Sequence, residues 1–203
     1  MTLQSKFLKT VNYPGLVIEE MEGKDWQPIM DRAIKLLERC DMEYQLGSGT
    51  LLGMIREDDG YIHHDTDIDL DIIIRPEEDV FPKAIQFRQE MIAHGFRLVR
   101  TQSYTGLPMQ EAFIHLATNI IVDLCFFYKK WGTDYCNVYE HGVFFRPVYS
   151  VDEVCYYQFN KGQYRIPLNN HDYLTGRYGA DYMTPKSGKD SGEKDAARYL
   201  VVL

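Results

Sequence analysis

Asp67, Asp69 and Asp71 recur at every second position of the segment Thr66 to Ile74, TDIDLDIII, with Ile68, Leu70 and Ile72 between them. Strict alternation of this kind predicts a strand, with the carboxylates on one face and the aliphatic side chains on the other, inward face. Same-face neighbours on a strand stand roughly 6 to 7 Å apart, so ionised carboxylates in a row repel one another unless positive charge lies over them. A divalent cation is the simplest counter-charge. The chemistry it serves between aspartates is phosphoryl or nucleotidyl transfer. Just upstream, GTLLG (Gly49 to Gly53) predicts a turn entering a helix whose N-terminus favours phosphate.

A third carboxylate, Asp123, lies in NIIVDLCFFY, where Ile120, Ile121, Val122, Leu124, Phe126 and Phe127 predict a strand buried on both faces. Such an aspartate needs a partner. If its strand lies beside that of Asp67 and Asp69, the three acids share a metal; the alternative is a buried pair with an arginine. Asp67 and Asp69 by themselves would also suit a solvated sheet face. A calcium loop is excluded, because DTDIDLDIII lacks glycine at its sixth position. His63, His64 and Asp65 form a weaker grouping, with the composition of a transition-metal site.

The elements that must position these residues follow from the pattern around them. Apolar residues at Ile29, Ala33, Leu36, Leu37 and Cys40 predict a helix over 26–42, with Asp25 placed to cap it. A strand over 44–46, a helix over 50–56 and the turn Asp58-Asp59-Gly60 lead into the carboxylate strand. Glu77 and Glu78 open a helix with apolar positions Val80, Ile85, Met91 and Ile92, closed by Gly95. Further strands are predicted at 96–100, 111–117 and 119–128, the last two joined as a hairpin, with a loop over 102–108. Short aromatic strands at 143–146, 155–159 and 164–166 precede a helix over 170–178 closed by Gly179.

The chain of 203 residues reads as a single domain over 1–203, with a lead-in over 1–24 and a mobile tail over 186–203. A net charge of -8 argues against a nucleic-acid partner, whose binding rests on Lys and Arg, and favours a small substrate. The four cysteines show neither a CxxC pair nor zinc spacing and read as reduced. With no apolar run near the ~20 residues a membrane span needs, the expectation is a cytoplasmic protein, with peripheral membrane association left open.

Four stretches taken together resemble the LicD/fukutin family of phosphotransferases, a branch of the nucleotidyltransferase fold typified by DNA polymerase β. These are GTLLGMIRE (Gly49 to Glu57), HHDTDID (His63 to Asp69), Asp123 in its apolar strand, and IPLNNHDYLTGRYGADYMTP (Ile166 to Pro185). The resemblance implies an α+β fold, a mixed β-sheet flanked by helices, here with a small C-terminal α/β extension. It also implies an enzyme that binds Mg2+, or Mn2+, through Asp67, Asp69 and Asp123, with Gly49 and Thr50 in the turn that holds donor phosphates. The implied reaction moves phosphocholine or a polyol phosphate from a CDP-activated donor to a sugar or glycan hydroxyl. His64 replaces the family's Trp, and Thr66 its second Asp.

Arg56 is a candidate phosphate contact or a surface arginine closing its helix. Lys161, Arg165 and Arg177 offer further positive charge or a solvated surface, and Tyr173 and Tyr178 read as packing residues. The same acids would serve a nucleotidyltransferase moving NMP from an NTP to a small-molecule hydroxyl. A third reading is a nucleotide- or metal-binding module without turnover.

Overall fold

The computed structural model describes residues 8–14, 18–104, 106–129, 135–138, 144–145 and 153–185. Ten strands and four helices occur among them: β1 (Leu8–Asn12), α1 (Gln27–Arg39), β2 (Tyr44–Leu46), α2 (Ser48–Arg56), β3 (Asp67–Ile74), α3 (Val80–Ala93), β4 (Phe96–Tyr104), β5 (Leu107–His115), β6 (Ile121–Lys129), β7 (Tyr135–Val138), β8 (Phe144–Phe145), β9 (Val154–Phe159), β10 (Gly162–Pro167) and α4 (Asn170–Tyr178). The main sheet runs β1-β4-β5-β6-β3-β2, with β7 added beside β6 and β8 beside β7, while β9 and β10 form a separate hairpin. Among the described strands only β3 and β6 pair in parallel, so the sheet is mixed and the fold is α+β.

One face of the sheet carries the core. Ile68, Leu70 and Ile72 of β3 and Val122, Leu124 and Phe126 of β6 have no exposed surface and pack with the buried faces of α1 and α3. Phe87 of α3 meets Phe113 of β5 edge-on at 5.7 Å, a favourable aromatic geometry. Glu111, also on this face, is buried and held by Arg88 of α3. The opposite face carries the polar residues of alternate positions, and the acids lie there.

Several sequence expectations shift in the structure. Asp25 does not cap α1; Trp26 occupies that position without a side-chain hydrogen bond, and its ring packs instead near Tyr61 and Phe159. The inward stripe of α3 is Val80, Ala84, Phe87 and Met91, whereas Ile85 and Ile92 point outward. Each of the two isoleucines sits one residue, about 100° of helical rotation, past a buried position.

The predicted loop over 102–108 is instead the end of β4 and the start of β5. Gln102 and Ser103 pair on one side with β1 and on the other with β5, and Pro108 sits at a register shift. The lead-in holds strand β1, whose sequence LKTVN has too little alternation to read as one. The hairpin of β5 and β6 and the helix closed by Gly179 are as predicted. Cys40, Cys125 and Cys155 are free thiols. No helix among the described residues is long and apolar enough to cross a membrane. The predicted mobile tail over 186–203 lies outside the described residues.

Candidate active site

Parallel pairing of β3 with β6 sets Asp69 directly beside Asp123, with Asp67 two residues earlier on the same face of β3. One carboxylate oxygen from each of Asp67, Asp69 and Asp123 lies within 4.8 Å of the others. Asp123 is almost fully buried, and both partners envisaged for it are in place: it stands in this cluster, and its Oδ2 accepts hydrogen bonds from Arg100 Nη2 at 2.5 Å and Gln110 Nε2 at 3.2 Å. Arg100 of β4 and Gln110 of β5 belong to the same polar sheet face, as the register of Ala112 with both Asp123 and Arg100 shows.

Crowding has the expected electrostatic consequence. Burial, then the charges of Asp69, Asp123 and Asp65, push the Asp67 carboxyl well above its ordinary range. Burial, then Asp65 and Asp123, do the same to Asp69, against the opposing charge of Arg177. Asp65 therefore belongs to the acidic group. It comes from the turn before β3 rather than from the strand, so the alternation that singles out its neighbours does not reach it. His63 and His64 are exposed, and His63 faces Asp59 at 3.6 Å rather than the other acids.

Asp71, the third acid of the alternating row, is not part of the cluster. It has no exposed surface, and its Oδ2 accepts hydrogen bonds from Tyr173 at 2.8 Å and Gln45 at 3.4 Å. Burial raises its carboxyl to about 6, moderated by Arg177, Tyr173 and Gln45. Tyr173 thus does more than pack, and Arg177 faces acids rather than solvent alone.

The glycine turn threads between these acids. A Cβ on Gly47 would fall 2.3 Å from Asp71 Oδ1, and one on Gly49 2.3 Å from Asp65 Oδ2 and 3.3 Å from Asp69 Oδ2. Only residues without side chains allow that approach. The Gly49 N–H donates to Asp69 Oδ2 at 2.9 Å, and the Thr50 hydroxyl accepts from the Asp69 N–H at 2.8 Å. Both residues expected beside donor phosphates therefore hold Asp69 in this structure.

Arg56 is mostly buried, donating from Nε to Glu57 at 2.6 Å and from Nη1 to the Tyr182 carbonyl at 3.1 Å, contacts that close α2 against the segment after α4. Arg165 pairs with Glu43 at 3.0 Å and lies over the Tyr44 ring, and Lys161 is exposed in the turn between β9 and β10.

The donor set suits a small hard cation. Three carboxylates offer oxygen ligands only, within a span comparable to the ~4.2 Å between opposite ligands of an octahedral ion with bonds of about 2.1 Å. The cluster includes no histidine or thiolate of the kind zinc and softer metals prefer.

Among solved structures, the chain is similar to a lincosamide antibiotic adenylyltransferase, LnuA, bound to lincomycin, at 13% identity and a TM-score of 0.49, over 81% of this chain and 98% of that one. It is also similar to ANT(2")-Ia in complex with adenylyl-2"-tobramycin, at 12% identity and a TM-score of 0.36, over 53% and 52% of the two chains. No curated protein matches the sequence. The family model for the nucleotidyltransferase domain of LicD/FKTN/FKRP matches residues 41–169, which span both acid-bearing strands and the glycine turn. Because that match covers more than half of the chain, the chain belongs to the LicD/FKTN/FKRP family and is an enzyme of the nucleotidyltransferase-like transferase kind.

Proposed function

We propose that this enzyme transfers a phospho-substituent, phosphocholine or a polyol phosphate, from a CDP-activated donor to a sugar or glycan hydroxyl. The observation that carries the reading is the convergence of Asp67, Asp69 and Asp123 from two parallel strands within a chain of this family. These three residues would hold Mg2+ or Mn2+, and the bound ion would supply charge neutralisation on the donor diphosphate and the departing CMP.

In this reading the acceptor oxygen attacks the phosphorus bearing the substituent, and the bridging P–O bond to CMP breaks. The hydroxyl proton passes to Asp123. Arg100 and Gln110 fix the Asp123 carboxylate for that step. Gly49 and Thr50 border the donor phosphates and orient Asp69, and Arg177 rather than Arg56 supplies positive charge beside them. The reaction is taken to be cytoplasmic, on small molecules or a glycan and not on nucleic acid.

The test is to incubate the protein with Mg2+ and CDP-choline, CDP-ribitol, CDP-glycerol or each NTP, and to identify the nucleotide product. CMP release supports the proposal, and pyrophosphate release from an NTP would replace it with nucleotidyl transfer. If no CDP compound raises the melting temperature of the folded protein, the donor assignment fails. Asp123→Asn should abolish turnover while leaving nucleotide affinity largely intact, and nucleotide binding without any turnover in the native protein would mark a binding module.

A further inference from the structure

The family match ends at residue 169, yet the segment beyond it reaches the glycine turn beside the carboxylate cluster. Tyr173 of α4 has no exposed surface, and its hydroxyl makes two bonds in opposite senses: it accepts the N–H of Ser48 at 2.9 Å and donates to Asp71 Oδ2 at 2.8 Å. Ser48 is the middle residue of the glycine turn and sits at φ +42, in the left-handed region that non-glycine residues rarely adopt. Its neighbour Gly49 holds Asp69 Oδ2 through its N–H.

We propose that Tyr173 is a positioning residue for metal binding: by clamping Ser48 against Asp71, its hydroxyl holds the glycine turn in a conformation that aims the Asp69 carboxylate into the cluster with Asp67 and Asp123. The proposal rests on the reading of those three acids as the metal ligands. Its logic is geometric. The turn passes so close to Asp65, Asp69 and Asp71 that a Cβ on either flanking glycine would collide with a carboxylate oxygen, so a displaced Ser48 displaces Gly49 and, with it, a hydrogen bond of Asp69. Gly47 is tied at the other end of the turn by its N–H to the Asp69 carbonyl at 3.2 Å, leaving Ser48 as the position whose backbone is set from outside β3 and α2. Tyr173 supplies that outside contact.

The test measures Mn2+ binding alone, by calorimetry or by the loss of free-ion paramagnetic resonance signal, so that it needs neither donor nor acceptor. Tyr173→Phe keeps the ring and removes the hydroxyl, and is expected to weaken Mn2+ binding about tenfold, the scale on which residues supporting metal ligands act. Phe87→Leu, in the core on the other sheet face, lowers stability without touching the turn and should bind Mn2+ as the native protein does.

Ser48→Gly added to Tyr173→Phe should recover most of the lost affinity, because glycine adopts the left-handed conformation without external support. Native-like binding by Tyr173→Phe overturns the proposal. So does an equal loss in Phe87→Leu, or no recovery in the double variant. Asp67→Asn separates the two levels of inference: if it binds Mn2+ normally the metal reading itself falls, whereas its loss of binding beside an unaffected Tyr173→Phe refutes only the role of Tyr173.

Discussion

Asp69→Asn and Asp123→Asn should change the stability of the metal-free protein in opposite directions. Each Asp69 carboxylate interaction with Asp67 or Asp123, at up to 4.8 Å, corresponds to at least about 3.5 kcal/mol of repulsion at an effective dielectric of about 20. Solvent at the partly open mouth screens this to about 1–2 kcal/mol, which Asn removes while its side-chain oxygen still accepts the Gly49 N–H. For a chain of this size the gain corresponds to a rise of about 3–6 °C in Tm.

Asp123→Asn relieves the same repulsion but strands Arg100. Breaking a fully buried ion pair costs about 3–5 kcal/mol. With the Arg100 side chain 26% exposed and the acid repulsion relieved, about 1–2 kcal/mol of net destabilisation remains. The assay is thermal unfolding in EDTA at pH 8, repeated with saturating Mn2+, where the native protein gains about 2.7 kcal/mol at a hundredfold excess over Kd and both variants gain little.

The pH sign follows from the raised carboxyls of Asp67 and Asp69. Both bind protons more tightly folded than unfolded, so their contribution is full below the ordinary value of 3.8 and is lost as pH rises through the raised values. The advantage of Asp69→Asn should therefore grow from acid to neutral pH. An Asp69→Asn protein that melts below the native one in EDTA at pH 8, or an Asp123→Asn protein that melts above Asp69→Asn, would refute the electrostatic account of the cluster.

Gly53→Ala should destabilise by about 1–3 kcal/mol in chemical denaturation despite alanine's helix propensity, since its Cβ would fall 2.7 Å from the Tyr61 Cα and 3.1 Å from the Gly60 carbonyl, both backbone atoms. Arg56→Met should cost about 1–3 kcal/mol through its lost bonds to Glu57 and the Tyr182 carbonyl while leaving the KM for donor unchanged; a rise in donor KM with stability intact would restore the phosphate role. Burial, then Arg32, lowers the His115 pKa, so its contribution to stability is present above the ordinary 6.5 and lost as pH falls. His115→Gln should accordingly flatten the acid side of the stability profile below pH 6.5, as followed by urea titration.

What the sequence made legible is what has a period. Alternation in β3 and the continuous apolar run of β6 identified both acid-bearing strands, and glycine spacing identified the turn that meets them. Asp65 was grouped with His63 and His64 rather than with the strand acids because it lies in a turn, where no period marks which way a side chain points. Arg100 escaped because its relation to Asp123 passes through two strand pairings, β4 with β5 and β5 with β6, neither of which is encoded near either residue. Tyr173 looked like packing because one aromatic in a short helix carries no sign of its hydroxyl's destination, which lies 125 residues away at Ser48. The division of the alternating row between the carboxylate cluster and the buried Asp71 was likewise invisible: both environments occur on one strand face, and Asp71 is set apart by Tyr173 of α4 and Gln45 of β2.

The apolar residues, rather than the charged ones, hold the acids together. A one-residue slip of β6 against β3 would turn Asp123 to the helix-covered face and bring Val122 and Leu124 to the polar one. That slip is opposed by Val122, Leu124 and Phe126, none of which has exposed surface, packed alongside Ile68, Leu70 and Ile72. Each such side chain stabilises the register by about 1.5–3 kcal/mol through burial, so together they outweigh the repulsion among the carboxylates they align. The acid-bearing face can therefore carry mutually repelling groups because its position is fixed from the other side of the sheet, and substitutions among its acids should leave the fold intact.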